Sequence, residues 1–524
     1  MVSLVQHALL GIALLGCALF SSACVAADNG PDGAAKRPPN VVFILADDLG
    51  WSDLGCYGGT FYETPCIDRL AAQGVRFTSA YAACPVCSPS RAAVMSGKNP
   101  ARIGMTAHIG DPGPKQWRRD TPLLPAESLD RLPLEERTLA EAFRDAGYAT
   151  LHAGKWHLGG EHYWPEYQGF DVNAGGWSQG GPFTGHGYFS PYGNPRLTDG
   201  PPGEHLPDRL AEEAVRFAQA HRFKPFFIHL AFYSVHVPLQ APDDLVAKYE
   251  AKRRAAGFSS DEMRQTPDGP VRVRQDHAIY AAMVESMDRA VGRVMAGLEE
   301  AGVAQNTIVV FTSDNGGLST GDVAISADEG WPTTNAPLRA GKGWLYEGGI
   351  RVPLIVKAPA TGRVGAACDR VVSGADHYAT LLTLAGLPPD PRQARDSDDY
   401  AVSVQAAPEH GPEQRAPVFW HYPHYGNQGG RPGSAVRSGD WKLIEWYGVD
   451  SAHNTLELYN LADDLAESHN LAAAAPDRRD QLHAALVEWR QSLAVRMPTP
   501  QTPVVAEEHP TPRAAHAAEA APPR

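Results

Sequence analysis

Four runs of unbroken apolar character recur along the chain: NVVFILADD (40–48), KPFFIHLAFYSVH (224–236), NTIVVFTSDNGG (306–317) and RVPLIVKAP (351–359). Runs this continuous, without alternation, suit strands buried on both faces of a mainly parallel sheet. Between them apolar positions repeat with helical period in IDRLAAQG (67–74), RTLAEAFRDAG (137–147), PDRLAEEAVRFAQAH (207–221) and the long stretch 276–302. The alternation predicts a large, doubly wound α/β domain. In such folds ligands gather at the carboxyl ends of strands, and three of the four runs end in residues that bind metals or move protons.

Elsewhere the pattern changes. Residues 160–205 are rich in Gly, Pro and aromatics and read as a long ordered loop over one face. Residues 386–415 read as an irregular connection. After it, APVFWHY (416–422), GSAVRSGDWKLIEWY (433–447) and NTLELYNLADD (454–464) predict short strands of an antiparallel sheet, closed by a helix within 476–497. This divides the chain into a catalytic α/β domain over 38–385, the connection 386–415, a smaller C-terminal α+β subdomain over 416–497, and a disordered tail over 498–524, where Pro, Ala and Glu dominate without a core.

Residues 1–27 precede the first charge, Asp28, with an apolar core and small residues ending in Val25 and Ala27. They read as a signal peptide, so the chain is expected to be exported, periplasmic or secreted, with Cys17 in LLGC as an alternative lipid-modified position. No later stretch is long and apolar enough to cross a bilayer, so no integral membrane domain is expected in the mature form. The net charge of −14 argues against nucleic acid as a partner, and any anionic substrate must be drawn by a local positive pocket. Of seven cysteines, cleavage removes two; with Cys87 reserved for chemistry, Cys56, Cys66, Cys84 and Cys368 allow up to two disulfides.

Cys87 stands in CSPSRAAVMSGK (87–98). Ser88 has N-cap chemistry, Pro89 fits the first helical position, and Gly97 offers a stop, so Cys87 is placed at a helix N-terminus with Arg91 on the next turn. Unpaired N–H groups and the helix dipole there favour an anion. Asp47 and Asp48 end one apolar run; Asp314 and Asn315 end another. Four oxygen-bearing side chains at one sheet edge suit Ca²⁺ or Mg²⁺, and the lack of His or Cys among them disfavours zinc.

These segments, with GKWHLGG (154–160), SVHVPLQAP (234–242) and LRAGKGWLYEGGIRVPLIV (338–356), resemble in order and spacing the type I sulfatase family of the alkaline phosphatase superfamily. The resemblance covers roughly residues 38 to 480. It implies an alkaline phosphatase-like fold, sulfate-ester hydrolysis, and oxidation of Cys87 to formylglycine by a separate formylglycine-generating enzyme. One hydroxyl of the hydrate then attacks sulfur and the other later expels sulfate from a covalent sulfo-enzyme. It assigns one Ca²⁺ to Asp47, Asp48, Asp314 and Asn315 together with the residue made from Cys87, and catalytic roles to Cys87, Arg91, Lys155, His157, His236 and Lys342. His236, with Lys342 nearby, is expected to protonate the leaving oxygen, and His157 to partner the hydroxyl at 87. His421 and His424 are expected to line the substrate pocket, and the expected substrate is a sulfated carbohydrate. Two alternatives stay open: a phosphatase or phosphodiesterase of the same superfamily, and a glycan-sulfate-binding protein with an unmodified Cys87.

Overall fold

The computed structural model describes residues 37–258, 262–321, 331–359, 361–405 and 415–501. The leader 1–27 and residues 502–524 of the tail lie outside them. Eight strands form the large sheet: β1 (Asn40–Ala46), β2 (Val75–Phe77), β3 (Ala149–Gly154), β4 (Val172–Ala174), β5 (Phe226–Ala231), β6 (Thr307–Ser313), β7 (Leu354–Lys357) and β8 (Ala367–Cys368), in the order β8-β2-β7-β6-β1-β5-β3-β4. The apolar runs form the centre, as their continuity predicts. Val42 and Ile44 of β1 enter one apolar layer, whereas Val41, Phe43 and Leu45 enter the other. With both faces covered, every residue of β1 is buried.

The first layer is built from α1 (Pro65–Gln73), α4 (Leu206–Ala220), α5 (Asp243–Ala255) and α6 (Ala278–Glu300). The second holds α2 (Cys87–Ser96), α3 (Leu139–Asp145) and α7 (Asp376–Leu384). Thr138 and Glu141 close a capping box at the start of α3. The α/β class and double winding are as predicted, with α5 and α7 as additional helices.

The fourth apolar run departs from the parallel expectation. β7 runs antiparallel to both β6 and β2. The chain leaves the carboxyl end of β6 and returns at residue 354 to the same end, so the next strand must run backwards. The segment 338–353 is thereby returned to the edge where ligands gather. The loop 160–205 also differs in part, because Val172–Ala174 pairs with β3 as the outermost strand.

The second sheet is antiparallel, in the order β9 (Val418–Tyr422), β10 (Gly433–Ser438), β11 (Trp441–Trp446), β12 (Thr455–Asn460), as the alternating pattern predicts. Helix α8 (Pro476–Leu493) covers one face through Leu482 and Leu486, and Phe419 stacks on Trp489 at 4.9 Å. Trp420, Ile444 and Trp446 turn the other face onto Trp344, Leu345 and Tyr346. The start of the tail is not free: Thr499–Pro500 pairs with Leu123–Leu124. Cys56, Cys66, Cys84 and Cys368 are all unpaired, which corrects the disulfide expectation. They stand in separate elements, Cys66 in α1, Cys368 in β8 and Cys84 beneath α2, where Ser90 holds its backbone.

Candidate active site

Strand register assembles the site. Ala46 of β1 lies opposite Ser313 of β6, Leu45 opposite Ala231 of β5, and Ala231 opposite Gly154 of β3. Asp47, Asp314 and Lys155 therefore leave the sheet side by side. Gly154 has φ +104°, and a Cβ there would meet Ala231 O at 1.9 Å, so only glycine allows this approach. Consecutive residues of an extended strand point to opposite faces. Asp48 escapes that rule with φ 60°, a left-handed turn that Asp tolerates, and both carboxylates serve one site.

Three buried carboxylates meet three buried cations. Asp47 Oδ2 accepts from Lys155 Nζ at 2.7 Å, with Arg91 Nη2 3.6 Å from Oδ1. Asp314 Oδ2 accepts from Arg91 Nε at 2.8 Å. Asp48 Oδ2 accepts from Lys342 Nζ, and its Oδ1 from Asn315 Nδ2, each at 2.8 Å. Burial disfavours the charge of Asp48, yet Lys342 holds its carboxyl well below the usual range. Burial pushes the Asp47 carboxyl up, with Asp314 and Asp48 adding to the push and Lys155 and Arg91 opposing it. One ligand atom from each of Asp47, Asp48 and Asp314 falls within 4.8 Å of the others. Asp47 Oδ1 and Asn315 Oδ1 are buried without a hydrogen-bond donor. An all-oxygen set with two orphaned acceptors fits a hard divalent cation.

Cys87 is the first residue of α2, after Val86 as N-cap. This shifts the predicted helix start: Ser88 does not cap, Pro89 sits in the first turn, and Ser88 Oγ lies 3.2 Å from His157 Nδ1 and accepts from the Ile109 N–H. Gly97 ends the helix at φ 67°, as predicted. All ten residues of α2 are buried, so Arg91 has no route to water. Besides Asp314 and Asp47 it donates to Lys155 O at 2.8 Å. Its task is therefore to hold the acid cluster and the turn carrying Lys155.

His157 Nδ1 stands 3.4 Å from Cys87 Sγ, and Nε2 is 3.2 Å from Ile109 O. Burial, with Lys155, His108 and Arg91 nearby, pushes this imidazole well below its usual pKa. His236 Nε2 is 3.7 Å from Asp48 Oδ2, and Nδ1 is 2.8 Å from Val237 O. Burial and Lys342 lower it too, against the pull of Asp48. Lys342 is placed from two sides, since its N–H reaches Gly317 O and the next N–H reaches Pro85 O. Burial disfavours its ammonium, but Asp48 wins and the pKa is raised. Cys87, His157, His236 and Lys342 line one cleft of about 570 Å³.

The sulfatase family profile, described as Sulfatase, matches residues 39–387. The chain belongs to the sulfatase family. This sulfatase is a sulfuric ester hydrolase, and residues 340–492 match a second profile, N-sulphoglucosamine sulphohydrolase, C-terminal. It is similar to a sulfatase of Formosa agariphila, with 33% identity over 517 residues covering 85% of this chain and 86% of that protein. It is similar to the N-acetylgalactosamine-6-sulfatase of Mus musculus, with 30% identity covering 85% and 79%. Among solved structures, Ps i-CgsB in complex with k-i-k-neocarrahexaose matches with a TM-score of 0.67 at 27% identity, covering 86% of this sulfatase and 93% of that chain.

Two predicted substrate residues do not reach the cleft. His421 lies opposite Ser434 in the small sheet; its Nδ1 is 2.8 Å from Ser434 Oγ and its Nε2 2.9 Å from Arg496 O, with burial lowering its pKa to about 4. Both nitrogens are occupied, so it serves packing. His424 is buried 2.8 Å from Thr106 Oγ1, and it lines a neighbouring hollow instead. From the same segment Asn427 and Gln428 line the cleft, three and four residues beyond His424. Sequence reasoning also missed His108 and Asp111, which lie three apart in TAHIGDPG, a Gly/Pro-flanked spacing that signals a side chain held on a turn. Ser178, Gln179 and Phe183 come from the loop expected to cover one face.

Proposed function

We propose that the chain hydrolyses sulfate esters of carbohydrates at residue 87, matured from cysteine to formylglycine, beside one Ca²⁺ held by Asp47, Asp48, Asp314 and Asn315. The observation that carries the reading is the placement of Cys87, on the first turn of a buried helix, within the cleft where His157, His236 and Lys342 converge over the acid cluster. A hydrated formylglycine supplies a hydroxyl nucleophile, and a bound Ca²⁺ supplies charge that favours both its ionisation and a sulfate oxygen.

The chain's own residues divide the remaining work. Lys155 and Arg91 fix the acids and are themselves fixed by them. His157 holds or moves a proton at residue 87, from 3.4 Å. His236 and Lys342 stand on the cleft wall beside Asp48, where a leaving oxygen would take its proton from His236 while Lys342 steadies the sulfate. Sulfated carbohydrate as substrate is supported by the names of similar proteins, an N-acetylgalactosamine-6-sulfatase and a complex of Ps i-CgsB with k-i-k-neocarrahexaose. The absence of imidazole from the acid cluster speaks against a two-zinc phosphatase. The leader-like residues 1–27 support export to the periplasm or beyond, and no described helix is long and apolar enough to cross a membrane.

The test is peptide mass spectrometry over residues 81–102 of protein made in a host with the maturation enzyme. Replacement of sulfur by oxygen at 87, with faster hydrolysis of a sulfate than of the phosphate ester of the same alcohol, is expected. An intact thiol in active material, or a faster phosphate ester, overturns the reading.

A further inference from the structure

Beyond the reacting groups, the described wall of the cleft is uncharged: Ser178, Gln179, Phe183, Val237, Asn427 and Gln428 face it. Recognition of a second sulfate or a carboxylate calls for a guanidinium fork or an ammonium, and none is provided there among the described residues. The one further ionisable residue on this wall is His108, whose Nδ1 lies 2.9 Å from Asp111 Oδ2. Burial works against a charge on His108 and Asp111 favours it, raising the imidazole pKa, and the contact leaves that nitrogen turned to a carboxylate of this chain rather than to an anionic ligand.

A hollow of about 380 Å³ adjoins the cleft and shares His108, Ile109 and Gly110 with it. Its charges are mostly negative. Asp111 is matched by His108, and Asp130 by Arg131 at 2.7 Å, while no described cation pairs with the exposed Glu127 carboxylate. Phe183 is 56% exposed, with its ring centroid 5.9 Å from that of His236. An exposed aromatic next to the leaving-group side, with amide side chains on the same wall, matches the apolar face and hydroxyl rim of a sugar ring.

We infer that the cleft takes a monosulfated sugar residue that is otherwise uncharged, and that the adjoining hollow takes a neighbouring residue without a carboxylate. Phe183 carries the ring, Gln179 and Asn427 meet its hydroxyls, and Glu127 turns away uronates. The inference rests on sulfate-ester hydrolysis at residue 87.

The test uses the full matured chain and monosulfated isomers of galactose and N-acetylgalactosamine, each joined to galactose or to glucuronic acid, with released sulfate measured. For whichever isomer is cleaved, kcat/KM for the galactose-linked form should exceed that for the glucuronate-linked form by about tenfold at low salt, and by less at high salt. Glu127→Gln should narrow this ratio and Glu127→Lys should reverse it. Equal or faster hydrolysis of the glucuronate-linked ester overturns the inference while sulfatase activity stands. Failure to release sulfate from any ester, with formylglycine present at 87, overturns the function and the inference together.

Discussion

Lys155 Nζ lies 2.7 Å from Asp47 Oδ2 with neither side chain exposed to solvent, at the point where β1 and β3 leave the sheet. The pair is a structural tie at the edge of the acid cluster. Removing the ammonium strands a carboxylate already disfavoured by burial. Lys155→Met should therefore cost about 3–5 kcal/mol of unfolding free energy in addition to activity. Denaturant melts and sulfate release, measured on the same preparation, check both. A variant of wild-type stability would show that Asp47 finds another partner.

The proposed calcium site predicts that Ca²⁺ raises the melting temperature of chelator-treated protein, because an ion held by the folded acid cluster is not held by the unfolded chain. At 100 times Kd the gain is ~2.7 kcal/mol, enough for a shift of a few degrees. Asp314→Asn should abolish the shift. Zinc should not reproduce it, since the cluster offers only oxygen.

How much of this was legible in the chain follows from what each signal encodes. Strand-end acids are readable because an apolar run fixes where the sheet stops, and parallel neighbours bring their ends together. Asp47, Asp48, Asp314 and Asn315 needed little more. Lys342 is different: it reaches Asp48 only because β7 runs antiparallel, and an apolar run carries no direction. His421 was misread for a related reason, since an aromatic and histidine cluster looks alike whether it faces ligand or Ser434. Phe183, Gln179 and Asn427 lie in irregular segments whose path is set by tertiary packing, where periodicity says nothing.

Phe183→Ala should lower kcat/KM for a sulfated sugar by roughly tenfold, chiefly through KM, because the ring face is lost while the reacting groups remain. Steady-state kinetics separates the two constants. A loss confined to kcat would mean that Phe183 acts by placing His236, which its ring touches.

Acid should unfold the protein early. Burial lowers His152, His377 and His424 to about 3, and His205 to about 4. Unfolded histidine titrates near 6.5. Below that pH the unfolded chain takes up protons the folded chain refuses, so this stability is full above about 6.5 and is lost as pH falls toward 4. Each group adds a slope of about 1.4 kcal/mol per pH unit within the window. Melting temperature against pH should fall steeply from pH 6.5 to 4.5, and His377→Gln should make the fall shallower.

Lys442 joins the small sheet to the site-bearing segment. Fully buried in β11, its Nζ lies 3.0 Å from Glu347 Oε1 and 2.8 Å from Glu467 Oε1. Glu347 also accepts from Tyr81 OH at 2.7 Å and pairs with Arg351 at 3.2 Å, which with Lys442 hold it down to about 2 despite burial. Glu467 accepts from the Glu347 N–H at 2.6 Å, and burial, with Glu347 close by, pushes it up to about 7. The cation is thus shared between two carboxylates that sit five and twenty-five residues from Lys342 and Lys442. Lys442→Met should cost about 3–5 kcal/mol, because it leaves the buried pair facing each other. Lys442→Met combined with Glu467→Gln should cost less than the sum of the single losses by more than ~1 kcal/mol, since the second change removes the repulsion the first exposes. Unfolding in urea measures the cycle, and additive losses would mean that Lys442 and Glu467 are not coupled despite their 2.8 Å contact.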